Sequence, residues 1–369
     1  MYNYKWKLKD TVFTKDKGKV FSCFACGGGS SMGYKLAGFD VIGVNEIDPR
    51  MMEVYKVNHN PKYSYLEGIQ TFKDRNNLPD ELFDLDILDG SPPCSSFSMA
   101  GNREKDWGKE KKFREGQSEQ VLDTLFFDFI ELAAKLKPKI IIAENVKGLL
   151  MGDAKKYLHK IYHEFEKAGY YTQYWLLDSS KMGVPQKRER VFFICLRKDL
   201  AAPFLYQQTF FDQKPYLDLF FNERKIYFNE IDFGYGKKLS KVYEQWWKLT
   251  KPGYSFSTAH PKGSFFNTNK IHKNKILPTI TATSGAVLSH YKYPNQISDK
   301  SLQLAGSFPL DYNFIDNKPK YLIGMSVPPV MIAQIANQVY KQWLSKINPP
   351  GGSNTICRIT TMKNINTGR

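Results

Sequence analysis

The sequence has no run of 18 apolar residues, so no membrane-crossing helix is expected. Residues Met1 to Lys9 are polar and aromatic with no apolar centre, so no secretory signal is expected either. Cysteine is sparse: five in 369 residues, an odd number. That argues against a disulfide framework and for a reducing compartment. No internal repeat is found, which removes solenoids and propellers. Acidic residues are short relative to basic ones, 37 against 53, leaving a formal net charge of +16 and a sequence pI of about 9.3. A solvated lysine surface accounts for such a balance, and so does a polyanionic partner. The bias is uneven, since residues 251–300 hold seven lysines and the single acid Asp299.

The chain is long enough for a full core and two or three domains. Val20 to Ala25 reads as a buried strand, followed by Gly27, Gly28 and Gly29 and a helix from Ser30 to Ala37. A second strand, Val41 to Val44, ends at Asn45 and Glu46, and Pro49 suits the first turn of the next helix. Phe83 to Leu88 is a third strand, running into Asp89–Gly90–Ser91–Pro92–Pro93–Cys94. Gly101 to Gln120 is charged and reads as a mobile loop. Val121 to Leu136 places Leu122, Leu125, Phe126, Phe129 and Leu132 on one helical stripe. Ile140 to Ala143 is a strand ending at Glu144, Tyr157 to Ala168 a helix, and Val191 to Leu196 a strand. Strands alternating with helices predict an α/β fold with a doubly wound, mainly parallel sheet. After about Leu200 the pattern breaks into aromatic, lysine-rich sequence, as in a smaller irregular domain. Pro328–Pro329 opens a last helix reaching Trp343. The tail from Asn348 is rich in Gly, Ser, Asn and Thr, a composition that predicts disorder.

In doubly wound sheets ligands bind beyond the C-terminal strand ends, where the glycine run lies. Glu46 stands 19 residues past Gly27, close to the spacing of an acid that bonds a ribose hydroxyl. A nicotinamide dinucleotide is disfavoured, because G-x-G-x-x-G would need glycine where Met32 or Ser30 stands. A ligand with one nucleoside and a carboxylate, such as S-adenosylmethionine, needs no pyrophosphate turn. The plain alternative is a glycine turn that packs helix on strand. Cys23 and Cys26 form C-x-x-C without a second pair at zinc spacing, so no metal is expected. His159 and His163 read as a surface pair.

Cys94 follows a strand end behind two stiffening prolines. A lone cysteine there is most simply a buried structural thiol. Glu144, within Glu144–Asn145–Val146, also ends a strand, and Gln186–Lys187–Arg188–Glu189–Arg190 precedes one. Together they converge on one inferred sheet edge.

This constellation resembles the DNA cytosine-5 methyltransferases. The matching pieces are, in order, Phe24 through Gly29 with Gly33; Asn45–Glu46–Ile47–Asp48; Ser91–Pro92–Pro93–Cys94 with Phe97–Ser98; Glu144 through Leu149; Gln186 through Arg190; Phe308–Pro309 with Tyr312; and Ile323–Gly324 with Ser326–Val327–Pro328. The resemblance spans about residues 20–200 and 276–343. It implies a Rossmann-like methyltransferase domain that uses S-adenosylmethionine and has Cys94 as nucleophile. A thiolate added at C6 of a flipped-out cytosine makes C5 able to accept a methyl group. Loss of the C5 proton and of Cys94 then restores the ring. By the same resemblance Glu144 holds N3 and the exocyclic amine, Arg190 the cytosine O2, and Arg188 supports the same pocket or a phosphate. Phe24 lines the adenine side, Glu46 takes the ribose hydroxyls, and Ser326 meets the methionine end. Gly27, Gly28, Gly29, Ile47, Ile69, Ser91 and Pro92 complete the cofactor set. The loop Ser95 to Gln120, carrying Arg103, Lys105, Lys109, Lys111, Lys112 and Arg114, would close over the base and meet phosphates. The sequence departs from the family at Cys26 (usually Gly), Ser95 (usually Gln), Gly68 (often Asp) and Met325 (usually Asn), which bears on cofactor contacts.

The implied organisation is a catalytic domain over 1–204, a target-recognition domain over 205–290, the remainder of the catalytic domain with a returning helix over 291–346, and the tail 347–369. Tyr206, Trp246, Trp247, Tyr254, Phe256, Phe265 and Phe266 stand among lysines where recognition would occur, and more than half of them are expected to form a small core. Double-stranded DNA is the expected partner, with a cognate restriction endonuclease where a restriction–modification pair exists. A monomer acting inside a prokaryotic cell, or encoded by a phage, is expected, with no membrane role. A tRNA cytosine methyltransferase of the same fold and an inactive DNA-binding relative are the alternatives.

Overall fold

The computed structural model describes residues 2–93, 110–111, 120–121, 124–152, 154–209, 212–283 and 285–348. Cys94, the rest of the charged loop and the tail beyond 348 lie outside the described residues.

Seven strands form the main sheet: β1 (Lys19–Cys23), β2 (Asp40–Glu46), β3 (Tyr63–Leu66), β4 (Ile87–Gly90), β5 (Ile140–Val146), β6 (Tyr170–Asp178) and β7 (Glu189–Arg197). Their spatial order is β3-β2-β1-β4-β5-β7-β6. The first five are parallel, and β7 runs antiparallel to both its neighbours. Between them lie helices α1 (Gly29–Leu36), α2 (Pro49–His59), α3 (Ile69–Asp74), α4 (Leu125–Leu136) and α5 (Ala154–Lys167). Helix α2 begins as its sequence dictates. Pro49 fills the first turn, and the Asp48 side chain accepts from the amides of Arg50 and Met51.

The sheet is covered on both faces, which is why its central strands are continuous apolar runs. Phe21, Leu88, Ile141, Val191 and Phe193 pack with Phe126, Phe129, Ile161 and Phe165 of α4 and α5. The alternate residues Val20, Ile87, Ile140, Ile142, Phe192 and Ile194 pack with Tyr34 of α1 and with the C-terminal helices. This is the doubly wound α/β fold expected from the alternation.

Several boundaries differ from expectation. Asp80–Phe83 is a 3-10 turn with Phe83 47% exposed, so the third predicted strand starts only at Ile87. Helix α4 starts at Leu125, because Gln120–Val121 pairs with Glu110–Lys111. Strands β3 and β6 are additional to the sequence expectation. Both lie at the sheet edges: β3 alternates half-buried with exposed positions, and β6 mixes buried, half-buried and exposed ones.

A second sheet takes β8 (Tyr235–Lys238), β9 (Tyr254–Ser255), β10 (Asn269–Lys270), β11 (Leu288–Ser289) and β12 (Asn295–Ile297) in the order β8-β12-β11-β10-β9. Helix α6 (Lys241–Leu249) lies beside it in sequence. Leu239, Phe256 and Val287 make a small core, and Tyr243, Trp246, Trp247 and Phe265 pack on it. Of the seven aromatics expected in this region, Phe256, Trp246, Trp247 and Phe265 thus serve packing, while Tyr206, Tyr254 and Phe266 are exposed.

The chain then returns to the main sheet through α7 (Asp299–Ala305), α8 (Pro319–Met325) and α9 (Pro329–Val339). Helix α9 crosses α1 so closely that a Cβ on Gly33 would lie 2.4 Å from the Pro329 carbonyl oxygen. The helical stretch Pro319–Ile347 has the length and hydropathy of a membrane span, but 83% of its apolar window is buried inside the protein. It is a core element.

Candidate functional site

The site lies along the C-terminal ends of β1, β2, β4 and β5, with β7 alongside. At β2 the Glu46 carboxylate is buried and turned back onto the backbone. It accepts from Cys26 N (2.6 Å), Ile47 N (2.9 Å) and Asp48 N (2.8 Å). Burial pushes its pKa up, and these three amides pull against that. The acceptances leave one lone-pair position on Oε2 for a ligand hydroxyl. Phe24, Asn45, Glu46, Ile47, Glu67, Gly68 and Ile69 line one cleft beside it. Four of these residues were expected from the sequence. Glu67 was not, because it belongs to no motif and reaches the cleft only through the end of β3.

The glycine turn has a role that spacing did not reveal. A Cβ on Gly27 would strike Leu322, one on Gly28 would lie 2.1 Å from His59 Nε2, and one on Gly29 would lie 2.7 Å from both Ser326 Cβ and the Val327 carbonyl oxygen. The turn is therefore glycine-rich first because α2 and the α8–α9 connection pack onto it. Its backbone conformation also requires it, with Gly28 at φ +91°. No side chain caps α1, whose first turn meets Ser326. The Ser326 Oγ is buried and has no hydrogen-bond partner among the described residues.

The base side is built on two antiparallel strands. Val146 of β5 pairs with Arg190 of β7, so Glu144, two residues back on the same face, is the diagonal neighbour of Arg190. The two side chains meet, with Arg190 Nε 2.8 Å from Glu144 Oε1, and are only 15% and 13% exposed. Burial lowers the Arg190 pKa and the adjacent Glu144 raises it. Glu144 was expected to end its strand and Arg190 to precede one; both lie inside strands, which fixes their direction more tightly. Asn145 joins this pair to the cysteine-bearing segment, its Nδ2 donating to the Pro92 carbonyl at 3.2 Å. Pro92 is buried, and Ser91 is half-buried.

Arg188 does not take the phosphate role given as one of its two expectations. It is 2% exposed, and its guanidinium donates to the carbonyls of Ile280 (3.1 Å) and Gly324 (2.9 Å). It clamps the second half of the chain to the site. Burial and the neighbouring Arg190 lower its pKa, with Glu144 opposing them. Gln186 does similar work unforeseen from its motif, accepting from Ile280 N and donating to the Ala305 carbonyl. Cys23 is buried in β1, burial raises its thiol pKa, and no metal-holding cluster occurs among the described residues.

A sheet in this strand order, with a narrow cleft at the end of β2 and a buried acid–arginine pair beside Pro92, has the Rossmann-like architecture of methyltransferases. The fold is similar to a crystal structure described as a DNA modification methyltransferase encoded within an E. coli prophage, with TM-score 0.60 and 20% identity over 88% of this chain and 99% of that one. The family profile described as C-5 cytosine-specific DNA methylase matches residues 18–341, and the chain belongs to that family. Among its relatives, type II methyltransferase M.FnuDI of Fusobacterium nucleatum is 37% identical over 182 residues, where the chain spans about half (48%) of that protein's length and is itself covered to 49%. Type II methyltransferase M.NgoFVII of Neisseria gonorrhoeae is 26% identical over 88% of this chain and 87% of its own.

Membership of a methyltransferase family implies S-adenosylmethionine in general. The residues present fit it: an apolar cleft, one open acceptor on Glu46, and an orphaned buried hydroxyl at the uncapped start of α1.

Proposed function

We propose that the protein is a DNA cytosine-5 methyltransferase that uses Cys94 as its nucleophile. The observation that carries this reading is the Glu144–Arg190 pair, tied by Asn145 to the Pro92 carbonyl two residues before Cys94. S-adenosylmethionine supplies a methyl group on a positively charged sulfur. Phe24, Ile47 and Ile69 would hold its adenine side and Glu46 its ribose. Ser326 and the backbone of Gly27, Gly28 and Gly29 would hold its amino-acid end, beside Ser91 and Pro92. The Cys94 thiolate would add to cytosine C6. Glu144 would hold N3 and the exocyclic amine, lending the proton that makes the ring electrophilic. Arg190 would bind O2, where negative charge gathers, and Arg188 would support the same pocket by holding the Ile280 and Gly324 segments against it. Acid–base assistance of this kind is typically worth about 100- to 10,000-fold. The base must leave the duplex to reach these groups, at a cost of a few kcal/mol.

The segment 205–290, with β12 just beyond it, would be the target-recognition unit, and its lysines and exposed Tyr254 and Phe266 its DNA-facing groups. A cognate restriction endonuclease is the partner this reading allows.

The test is transfer of tritium from labelled S-adenosylmethionine to genomic DNA or to tRNA, with the product mapped by bisulfite sequencing. Label at C5 of cytosine in DNA is expected, and Cys94→Ser should lose both the label and covalent trapping on 5-fluorocytosine DNA. Label on tRNA alone would replace the substrate, and no label on either would make the protein a binding relative.

A further inference from the structure

One buried acid has no part in the reaction just described. Asp89, in β4, is 2% exposed. Ser22 lies opposite it on β1 and donates through Oγ to Asp89 Oδ2 at 2.6 Å. Tyr34 reaches down from α1 and donates to Oδ1 at 3.1 Å. On the other side Asp89 pairs with Ile142 of β5, and Glu144, two residues on, shares that face. Ser22, Asp89, Glu144 and Arg190 therefore form one polar row across four strands, on the face otherwise packed by Ile87, Ile140, Ile142 and Phe192. The titratable groups on Asp89's side of the sheet are Tyr34 of α1, Tyr55 of α2 and Glu144 of β5, and the Cys23 thiol, next to Ser22 on β1, points to the opposite face. None of them is a cation. The nearest positive charge in the row, Arg190, is engaged by Glu144.

We propose that Asp89 is a positioning residue for methyl transfer, its ionisation acting on the base pocket through Glu144. This rests on the reading of Glu144 as the group that lends a proton to the cytosine. When Asp89 and Glu144 are both negative they repel. An ionised Asp89 therefore favours the arrangement in which a proton lies between Glu144 and the base, the one the reaction needs. Burial pushes the Asp89 carboxyl up to about 7, with the Ser22 and Tyr34 hydroxyls pulling it down and Glu144 pushing it up. The charge thus turns on near neutral pH.

The test is the pH profile of single-turnover methylation of duplex DNA by the full chain with S-adenosylmethionine, from about pH 6 to about pH 9. The parent should gain rate through neutrality. The ratio of parent to Asp89→Asn rate, in which ionisation of the Cys94 thiol common to both cancels, should rise through neutrality to the order of tenfold above pH 8, as one unit of coupling gives, and fall to near one at pH 6. Tyr34→Phe removes a donor that favours ionised Asp89, so its step should move to higher pH. An Asp89→Asn rate lowered equally at every pH, or superimposable on the parent's, overturns the proposal. Should Asp89→Asn fail to fold, a Tyr34→Phe profile with an unmoved step overturns it equally. Glu144→Gln separates the two readings. If that variant keeps full activity, the role of Glu144 falls. If it is inactive while Asp89→Asn shows no pH-selective effect, only the role of Asp89 falls.

Discussion

The two sheets of this molecule are made differently. The seven-stranded sheet has strands of four to nine residues covered on both faces, and its two cores hold most of the large buried side chains. The five-stranded sheet has strands of two to four residues, its edge strand β8 is exposed at every position, and it has a small core of its own in Leu239, Phe256 and Val287 with four partly buried aromatics, while Leu288 and Ile297 pack into a cluster shared with Met32, Met51 and Leu322. Under the proposed function, the reaction would be placed on the first, where a carboxylate and a guanidinium are held 2.8 Å apart. Strands buried on both sides fix side chains more narrowly than loops do. Under the same reading, contact with an extended, charged partner would fall to the second, where short pairings and exposed rings can adjust.

That contrast can be broken at three levels. Glu144→Gln should show the largest effect, a loss of about 100- to 10,000-fold in single-turnover rate, while DNA affinity in a filter-binding titration stays within a few-fold. A comparable loss of affinity would mean that the pair serves binding more than chemistry. Next come the cores. Phe193→Ala should lower unfolding free energy by about 3–5 kcal/mol in urea melts, with the enzyme still unfolding in one main step. Phe256→Ala should instead release the small sheet as a separate, earlier transition and weaken DNA binding, leaving cofactor affinity unchanged. One shared transition in both variants would show the two sheets to be a single cooperative unit. The smallest effect concerns His59, buried beneath Gly28. Burial lowers its pKa well below the usual histidine value, Lys35 adds to this, and the Gly28 backbone opposes it. Such a group is neutral in the fold and charged in the unfolded chain below about pH 6.5. Its stability contribution is therefore complete above that value and is lost as pH falls, by up to about 1.4 kcal/mol per pH unit. Urea midpoints at pH 7.5 and 5.5 should differ less in His59→Gln than in the parent.

What could be read in the sequence follows the same division. Central strands such as Ile140–Val146 were legible because burial on both faces demands an unbroken apolar run. Edge strands β3 and β6 were not, because half-exposed positions dilute that signal with Tyr, Ser and Gln. Phe83 misled because an apolar residue just before a strand can sit exposed on a 3-10 turn. At the site, Glu46, Glu144 and Arg190 were found through motifs that fix their place on the sheet. Asp89 escaped notice since its partners, Ser22 and Tyr34, are 67 and 55 residues away. The burial of Arg188 was likewise invisible, because Ile280 and Gly324 are brought to it only by the return of the chain.

That return has a consequence for how the protein is made. The turn at Gly27–Gly29 is synthesised early, yet the groups that fill its hollows, Leu322, Ser326 and Val327, come almost three hundred residues later. A nascent chain can lay down β1 to β7 and bury much of their surface while this corner still stands open. Under the proposed function, competence would be withheld until translation has passed residue 327, and a chain stopped earlier would lack both the floor of the proposed cofactor site and the C-terminal helices that cover one face of the sheet. Expressing 1–300 and 301–369 as separate pieces would make this timing visible, as activity that appears only on mixing.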